Sequence, residues 1–301
     1  MTVEHIPDDL LIEYADDPAS HPDLDTHLAA CSDCRTALSF YRTLSAELRE
    51  DEVWTHENEL RTQKGQRAVR EFADRIAAED AEARRLLDRI LESPYRFARA
   101  NILGKRRFRT GGVVRRLCEA VREQCEQEPL YAMELAETAQ AVAESLPDDY
   151  YPSAMVFDLR GRTWKEYATI CHDLGRYREG LDALQRAERA YRHLSDSGAG
   201  LAAVNLSRAI LLWKLQRYAE ALPFARAAAE EYAARRDTSR YIEAQEVEAV
   251  ILQRTGNPLP ARQIHQRAYD AADHLDDPAM KARTARNLGI SYRDEGDLGN
   301  A

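Results

Sequence analysis

The sequence predicts an all-α protein in two parts: a small metal-stapled helical module, then a superhelix of repeated helical hairpins. Three observations carry that expectation. Apolar residues recur at helical spacing in one segment after another. The run His27-Leu-Ala-Ala-Cys31-Ser-Asp-Cys34 gathers one imidazole and two thiols at H-x3-C-x2-C separations near the start. An internal period of about 40 residues runs through the second half.

The cysteine motif reads as a zinc site. Zinc takes nitrogen and thiolate ligands in a tetrahedron, and two cysteines two residues apart can grip one ion from a tight turn. On an unbroken helix the seven-residue step from His27 to Cys34 would separate them by about 10 Å, too far for one small ion. The helix carrying His27 should therefore end near Cys31, and the next should start at once with Ser32 or Asp33 as its N-cap. Both thiolates then lie near a helix N-terminus, where the backbone dipole favours charged sulfur. Two upstream residues could complete the set: His5, before Pro7, and His21, in the loop before Pro22. With four protein ligands such a site is closed and structural. A module of about 50 residues has little core of its own, so the metal would supply much of its folding free energy.

From His5 through Cys34 the chain resembles the zinc-binding anti-sigma domain of bacteria. The corresponding pieces are His5, a first short helix at Leu10-Leu-Ile-Glu-Tyr14, an acidic turn at Ala15-Asp-Asp-Pro18, the helix Thr26-His-Leu-Ala-Ala-Cys31, and a longer helix from Cys34. The turn from Ala15 to Asp25 departs from the commoner glycine- and glutamate-rich form. The resemblance implies a structural Zn2+ on His5, His27, Cys31 and Cys34. It also implies a soluble bacterial transcription regulator that sequesters a sigma factor through this module. Release could follow a conformational change, or oxidation of Cys31 and Cys34 with loss of zinc.

Composition sets the bounds. With 301 residues, 44% of them apolar, the chain can hold two domains or more. The longest apolar run, Ala209-Ile-Leu-Leu-Trp213, is followed at once by Lys214, and the N-terminus lacks a basic and apolar leader. A soluble, cytoplasmic protein with no membrane contact is expected. Five cysteines without a leader argue for a reducing compartment, with Cys118, Cys125 and Cys171 as buried thiols. Residues 1–52 hold thirteen acids against Arg35, Arg42 and Arg49, so the whole net charge of −10 is concentrated there. Such an acidic head repels nucleic acid and suits a basic protein surface.

From Ser93 to Cys118 the sign reverses, with eight Lys and Arg, no acid, and Tyr95, Phe97 and Phe108 interleaved. Basic residues with aromatics can mark nucleic-acid binding. No nucleic-acid-binding module is legible around them, so nucleic acid is an unlikely partner and a solvated linker is the simpler reading. Docking of this belt on the acidic head is a third possibility. The chain divides into a zinc-binding module at 1–50, a charged helical connector with the basic stretch at 51–112, and repeats at 113–301. After Cys34, Leu38, Tyr41, Leu44 and Leu48 mark one amphipathic helix. Residues 55–92 continue as charged helix, with Leu60, Val69, Phe72, Ile76, Leu86, Leu87, Ile90 and Leu91 in narrow stripes.

The repeats align on a turn: Leu174-Gly175-Arg-Tyr177, Leu215-Gln216-Arg-Tyr218, Thr255-Gly256-Asn-Pro258 and Glu295-Gly296-Asp-Leu298, spaced 41, 40 and 40 residues apart. Trp164, Leu288-Gly289 and Tyr292 occupy first-helix positions. Ala187, Ala221, Ala228, Ala261, Ala268 and Ala301 occupy small positions of second helices. Residues 113–301 thus resemble tetratricopeptide repeats, with a degenerate first copy at Val113–Leu146. Gly180 replaces an expected alanine and Ala209 a glycine. The period exceeds the minimal 34 residues, implying extended helices as in repeat families that clasp peptides in a groove. The last copy stops at Ala301, a few residues into its second helix, so a longer natural chain or a completing partner is expected.

No catalytic constellation emerges. Gly111-Gly112 is not part of a G-x-x-x-x-G-K-[ST] loop, and His172, His193, His265 and His274 fall singly on repeat helices. The chain is expected not to be an enzyme. It reads as a regulator that holds a sigma factor through the zinc module and senses a protein or peptide through the repeats. The alternative is a tetratricopeptide interaction scaffold with a structural zinc cap.

Overall fold

The structure, a computed structural model, describes residues 5–49, 56–91, 105–147 and 150–294. Every regular element among them is helical. The chain forms two compact units, Met1–Arg75 and Ile76–Ala301. The side chains of Leu44, Leu48 and Leu60, the residues Tyr95 and Phe97, and the turn at Glu295–Leu298 with Ala301 lie outside the described residues.

The first unit opens with α1 (Asp8–Asp16), two 3-10 turns (Pro18–Ser20 and Pro22–Leu24), α2 (Asp25–Ala30) and α3 (Ser32–Arg49). Each 3-10 turn starts on a proline, whose fixed φ and missing N–H suit the first turn of a helix. Asp17 caps the first by accepting from the Ala19 N–H at 3.1 Å. Leu11, Tyr14, Leu28 and Leu38 close a small core in which Ile6, Cys31 and Cys34 are also buried. Tyr14 donates its hydroxyl to Asp25, which pins α1 to the start of α2. The break between α2 and α3 falls at Cys31 itself, in extended conformation, so α3 starts at Ser32 rather than after a Ser32 or Asp33 cap. Arg35 holds the break by donating to the carbonyls of Leu28 and Ala29 at 2.8 and 2.7 Å, the otherwise unpaired acceptors at the end of α2.

A long helix, α4 (His56–Leu91), leads into the second unit. There follow α5 (Gly111–Gln124), α6 (Pro129–Glu144), α7 (Ser153–Asp173), α8 (Tyr177–Tyr191), α9 (Gly198–Lys214), α10 (Tyr218–Ala234), α11 (Thr238–Arg254), α12 (Pro258–Asp273) and α13 (Pro278–Asp294). Consecutive helices pair as hairpins, α5 with α6 through α11 with α12, and each hairpin packs on the next. This is an all-α repeat superhelix, as the period predicts. Pro129, Pro258 and Pro278 start their helices, and Thr110 and Asp237 cap α5 and α11 through side-chain oxygens.

The aligned turns share one conformation. Gly175, Gln216 and Gly256 have φ of 70°, 61° and 78°, in the left-handed region. The next residue's N–H reaches back to the carbonyl five residues earlier: Arg176 to Cys171 at 2.7 Å, Arg217 to Leu212 at 2.9 Å and Asn257 to Leu252 at 2.9 Å. These are Schellman caps. Arg236 repeats the geometry between hairpins, with φ 57°. The small positions are filled as expected: Ala187, Ala221, Ala228, Ala261 and Ala268 are fully buried, as is Ala209. Gly180 is glycine because an added Cβ would sit 2.8 Å from Leu211 and 3.1 Å from Cys171.

The end of α4 caps the stack. Ala83 and Leu87 are buried with Val114, Leu117 and Leu135 of the first hairpin. Arg115 pairs with Asp80 and Arg116 with Asp88, both at 2.7 Å, so two of the basic stretch's cations are engaged inside this unit. Phe108 is 1% exposed and belongs to the core, not to a stacking platform. Buried Glu166 takes Arg122 at 2.7 Å, and Glu246 takes Arg283 at 3.0 Å. These ion pairs tie one hairpin to its neighbour.

Candidate metal centre and repeat face

The site in the first unit is assembled by three chain segments. The extended residues before α1 bring His5, the break after α2 brings Cys31, and the first turn of α3 brings Cys34. The ligating atoms of these three lie within 4.8 Å of one another, a group that could hold a metal ion. His5 Nδ1 stands 3.5 Å from Cys31 Sγ and 3.6 Å from Cys34 Sγ. His27 lies outside that triad but sets Nε2 3.3 Å from Cys34 Sγ. Cys34, 2% exposed, is therefore the hub. His21 faces elsewhere, its Nε2 2.9 Å from Glu13.

The surroundings favour the thiolate of Cys31. The Ile6 N–H points at Cys34 Sγ at 3.4 Å. The Cys34 N–H holds the Cys31 thiol down, with the Cys34 side chain, the Asp33 N–H and His5 assisting, to about 6. Burial pushes the Cys34 thiol up while it remains a thiol. Asp33 stands 4.0 Å from His5 Nε2, on the side of the ring away from the thiols, where a carboxylate orients a ligating imidazole. Arg35 and Ile6 are the neighbours of this group that sequence reasoning missed. Arg35 one residue past the motif was the available signal; the Ile6 amide leaves none.

The remaining cysteines are different. All five cysteines are free thiols, but Cys118 and Cys171 are pushed up to about 12 by burial, as inert core residues, while Cys125 is half-buried rather than buried as expected. Of the lone histidines, His193 stacks on Phe157 with ring centroids 4.2 Å apart, and His172 meets Asp173 at 2.8 Å.

In the second unit the first helices of successive hairpins share one face, on which Trp213, Val250 and Ile290 remain half-buried. A cavity of about 430 Å³ opens there across α9, α11 and α13. No helix among the described residues is long and apolar enough to cross a membrane.

Stacked hairpins with shared turn geometry define a tetratricopeptide-like helical-repeat fold. Solved structures agree. The chain is similar to BtubC (BKLC) from P. vanneervenii, with 19% identity and a TM-score of 0.56, over 76% of this chain and 84% of that one. It is also similar to a putative kinesin light chain from Podosopora anserina with nearly identical TPR-like repeats, at 15% identity and a TM-score of 0.50, over 63% of this chain and 90% of that one. A single-substitution form of the latter matches at 14% identity and a TM-score of 0.51, over 63% of this chain and 89% of that one. At these identities the likeness is one of fold. No protein-family profile matches the chain, and no curated protein matches it in sequence.

Proposed function

We propose that this protein is a protein-interaction scaffold. Its repeats (113–301) hold a protein or peptide partner, and its N-terminal module (1–50), joined through the connector (51–112), is closed by structural zinc. One observation carries the reading: a stack of hairpins whose first helices keep aromatic and apolar side chains half-exposed along one face. Such a face offers a partner apolar contact at little cost to the packed interior.

The zinc assignment, on His5, His27, Cys31 and Cys34, rests on the donor set and its spacing. Zn–S bonds of about 2.3 Å and Zn–N bonds of about 2.0 Å place neighbouring nitrogen and sulfur ligands about 3.5 Å apart in a tetrahedron. The three nitrogen–sulfur distances of 3.3, 3.5 and 3.6 Å fit that edge. When bound, the ion would cross-link the start of the chain to the α2–α3 break; with four protein ligands no position is left for a substrate. Free cysteines throughout suit a reducing, cytoplasmic setting.

A narrower second reading is that the module sequesters a sigma factor. It is favoured by the gathering of His5 onto the H-x3-C-x2-C motif and by the acidic charge of residues 1–52. One experiment separates the two. The intact protein and a Cys31→Ser/Cys34→Ser double variant are used as bait in their own cells, with zinc measured in both. Equal recovery of the same complex by both proteins supports the scaffold. A sigma factor retained by the wild type and lost together with the metal supports the narrower reading. Recovery of no partner by either protein refutes both.

A further inference from the structure

The cavity across α9, α11 and α13 has a composition that packing alone does not explain. Its walls are Trp213, Val250 and Ile290, and its rim carries the guanidiniums of Arg254 and Arg293. His265, from α12, also lines it and is 2% exposed. Arg254 makes no ion pair or hydrogen bond among the described residues, which leaves its guanidinium uncommitted.

The histidine sharpens the chemistry. Burial lowers its ring to about 4, so it is neutral near pH 7 and carries a single N–H. Nδ1 is sealed off without a hydrogen-bond partner, which leaves Nε2 as the nitrogen on the cavity side. A buried N–H without an acceptor is rarer and costlier than a buried lone pair without a donor. The favoured tautomer therefore puts its proton on Nε2. Two donors, His265 deep in the cavity and Arg254 at its edge, then face a space with apolar walls, and no acidic side chain lines it.

We propose that this cavity is a binding site for a small organic anion, an oxyanion group on a flat apolar body, held by His265 and Arg254. Its volume falls in the range of small-molecule pockets, about 300–1,000 Å³, where a few convergent polar groups orient a ligand against apolar walls. The oxyanion accepts from the imidazole and the Arg254 guanidinium, and the body lies against Trp213, Val250 and Ile290. Carboxylate and phosphate monoester share this chemistry. The site does not depend on the protein partner proposed above.

The test is calorimetric titration of the full chain with indole-3-acetate, with phenyl phosphate, and with indole-3-acetamide as the uncharged counterpart. At least one anion should bind saturably at one site per chain, and which one responds identifies the oxyanion. The amide should bind at least about tenfold more weakly. Arg254→Gln, on an exposed side chain, should weaken anion binding by about tenfold, and His265→Leu should do the same, whereas Arg217→Gln should not change it. Val250→Trp, which fills the cavity, should abolish binding, with the melting temperature showing that the variant is folded. The proposal fails if no anion binds at about 10 mM, if indole-3-acetate binds and its amide binds as tightly, or if either Arg254→Gln or His265→Leu binds as the wild type does.

Discussion

Cys34 holds its Sγ 3.3 Å from Nε2 of His27, seven residues earlier in the chain, where an unbroken helix would set the two residues about 10 Å apart. The break at Cys31 is what brings them together. Cys34→Ser should therefore cost the hub of the site. The wild type should carry about one zinc per chain and the variant less than about a tenth of that, because structural zinc binding and folding of such a module are one equilibrium. Metal analysis with limited proteolysis checks this: cleavage within residues 5–49 should rise while the repeats keep their helical melting. His5→Ala should lose zinc and His21→Ala should keep it.

Gly112 packs against α4 so closely that an added Cβ would lie 2.6 Å from the Glu79 carbonyl oxygen. The obstacle is backbone, which cannot swing aside. Gly112→Ala should destabilise the second unit by about 1–3 kcal/mol, despite the better helix propensity of alanine. Denaturant unfolding measures it.

Gln216 takes the left-handed conformation that glycine takes at the aligned turns, at positions 175 and 256. A side-chain-bearing residue pays about 1–2 kcal/mol there, partly offset by the greater unfolded freedom of glycine. Gln216→Gly should stabilise by about 0.5–1 kcal/mol. An unchanged or lower melting temperature would count against the strain.

The His265 ring is lowered by burial from 6.5 to about 4. The unfolded chain therefore takes up a proton at a pH where the folded chain does not. This contribution to stability is complete above about 6.5 and is lost as pH falls toward about 4, at no more than about 1.4 kcal/mol per pH unit. His265→Gln should flatten the difference in stability across that window, measured by denaturant unfolding at several pH values. A wild-type and variant pair with parallel profiles would contradict it.

Much of the fold was legible because its signals are local. The turn quartets at 174–177, 215–218 and 255–258 mark the hairpins, since a left-handed cap must fall where the first helix ends. Buried alanines such as Ala187 and Ala228 marked close helix approach. The thiol pair was legible for the same reason, as Cys31 and Cys34 sit in one tight turn. The α2–α3 break came one residue before the expected cap, with α3 starting at Ser32, and the carbonyls at the end of α2 are satisfied by Arg35, a partner that no local capping pattern marks. The basic stretch was only partly legible. Arg115 and Arg116 look solvent-facing in sequence, but their partners Asp80 and Asp88 arrive from a helix about 30 residues earlier.

By itself the sequence determined the helical class, the recurring hairpin turns and the H-x3-C-x2-C turn, because each of these elements depends on neighbours within a few residues. Tertiary structure alone decided that His5 rather than His21 stands beside the thiols, and that Phe108 is core. It alone decided that Trp213, Arg254, His265 and Arg293 line one cavity. Those outcomes follow from the register in which separate helices pack. No local propensity encodes it, and the packing of whole helix faces sets it.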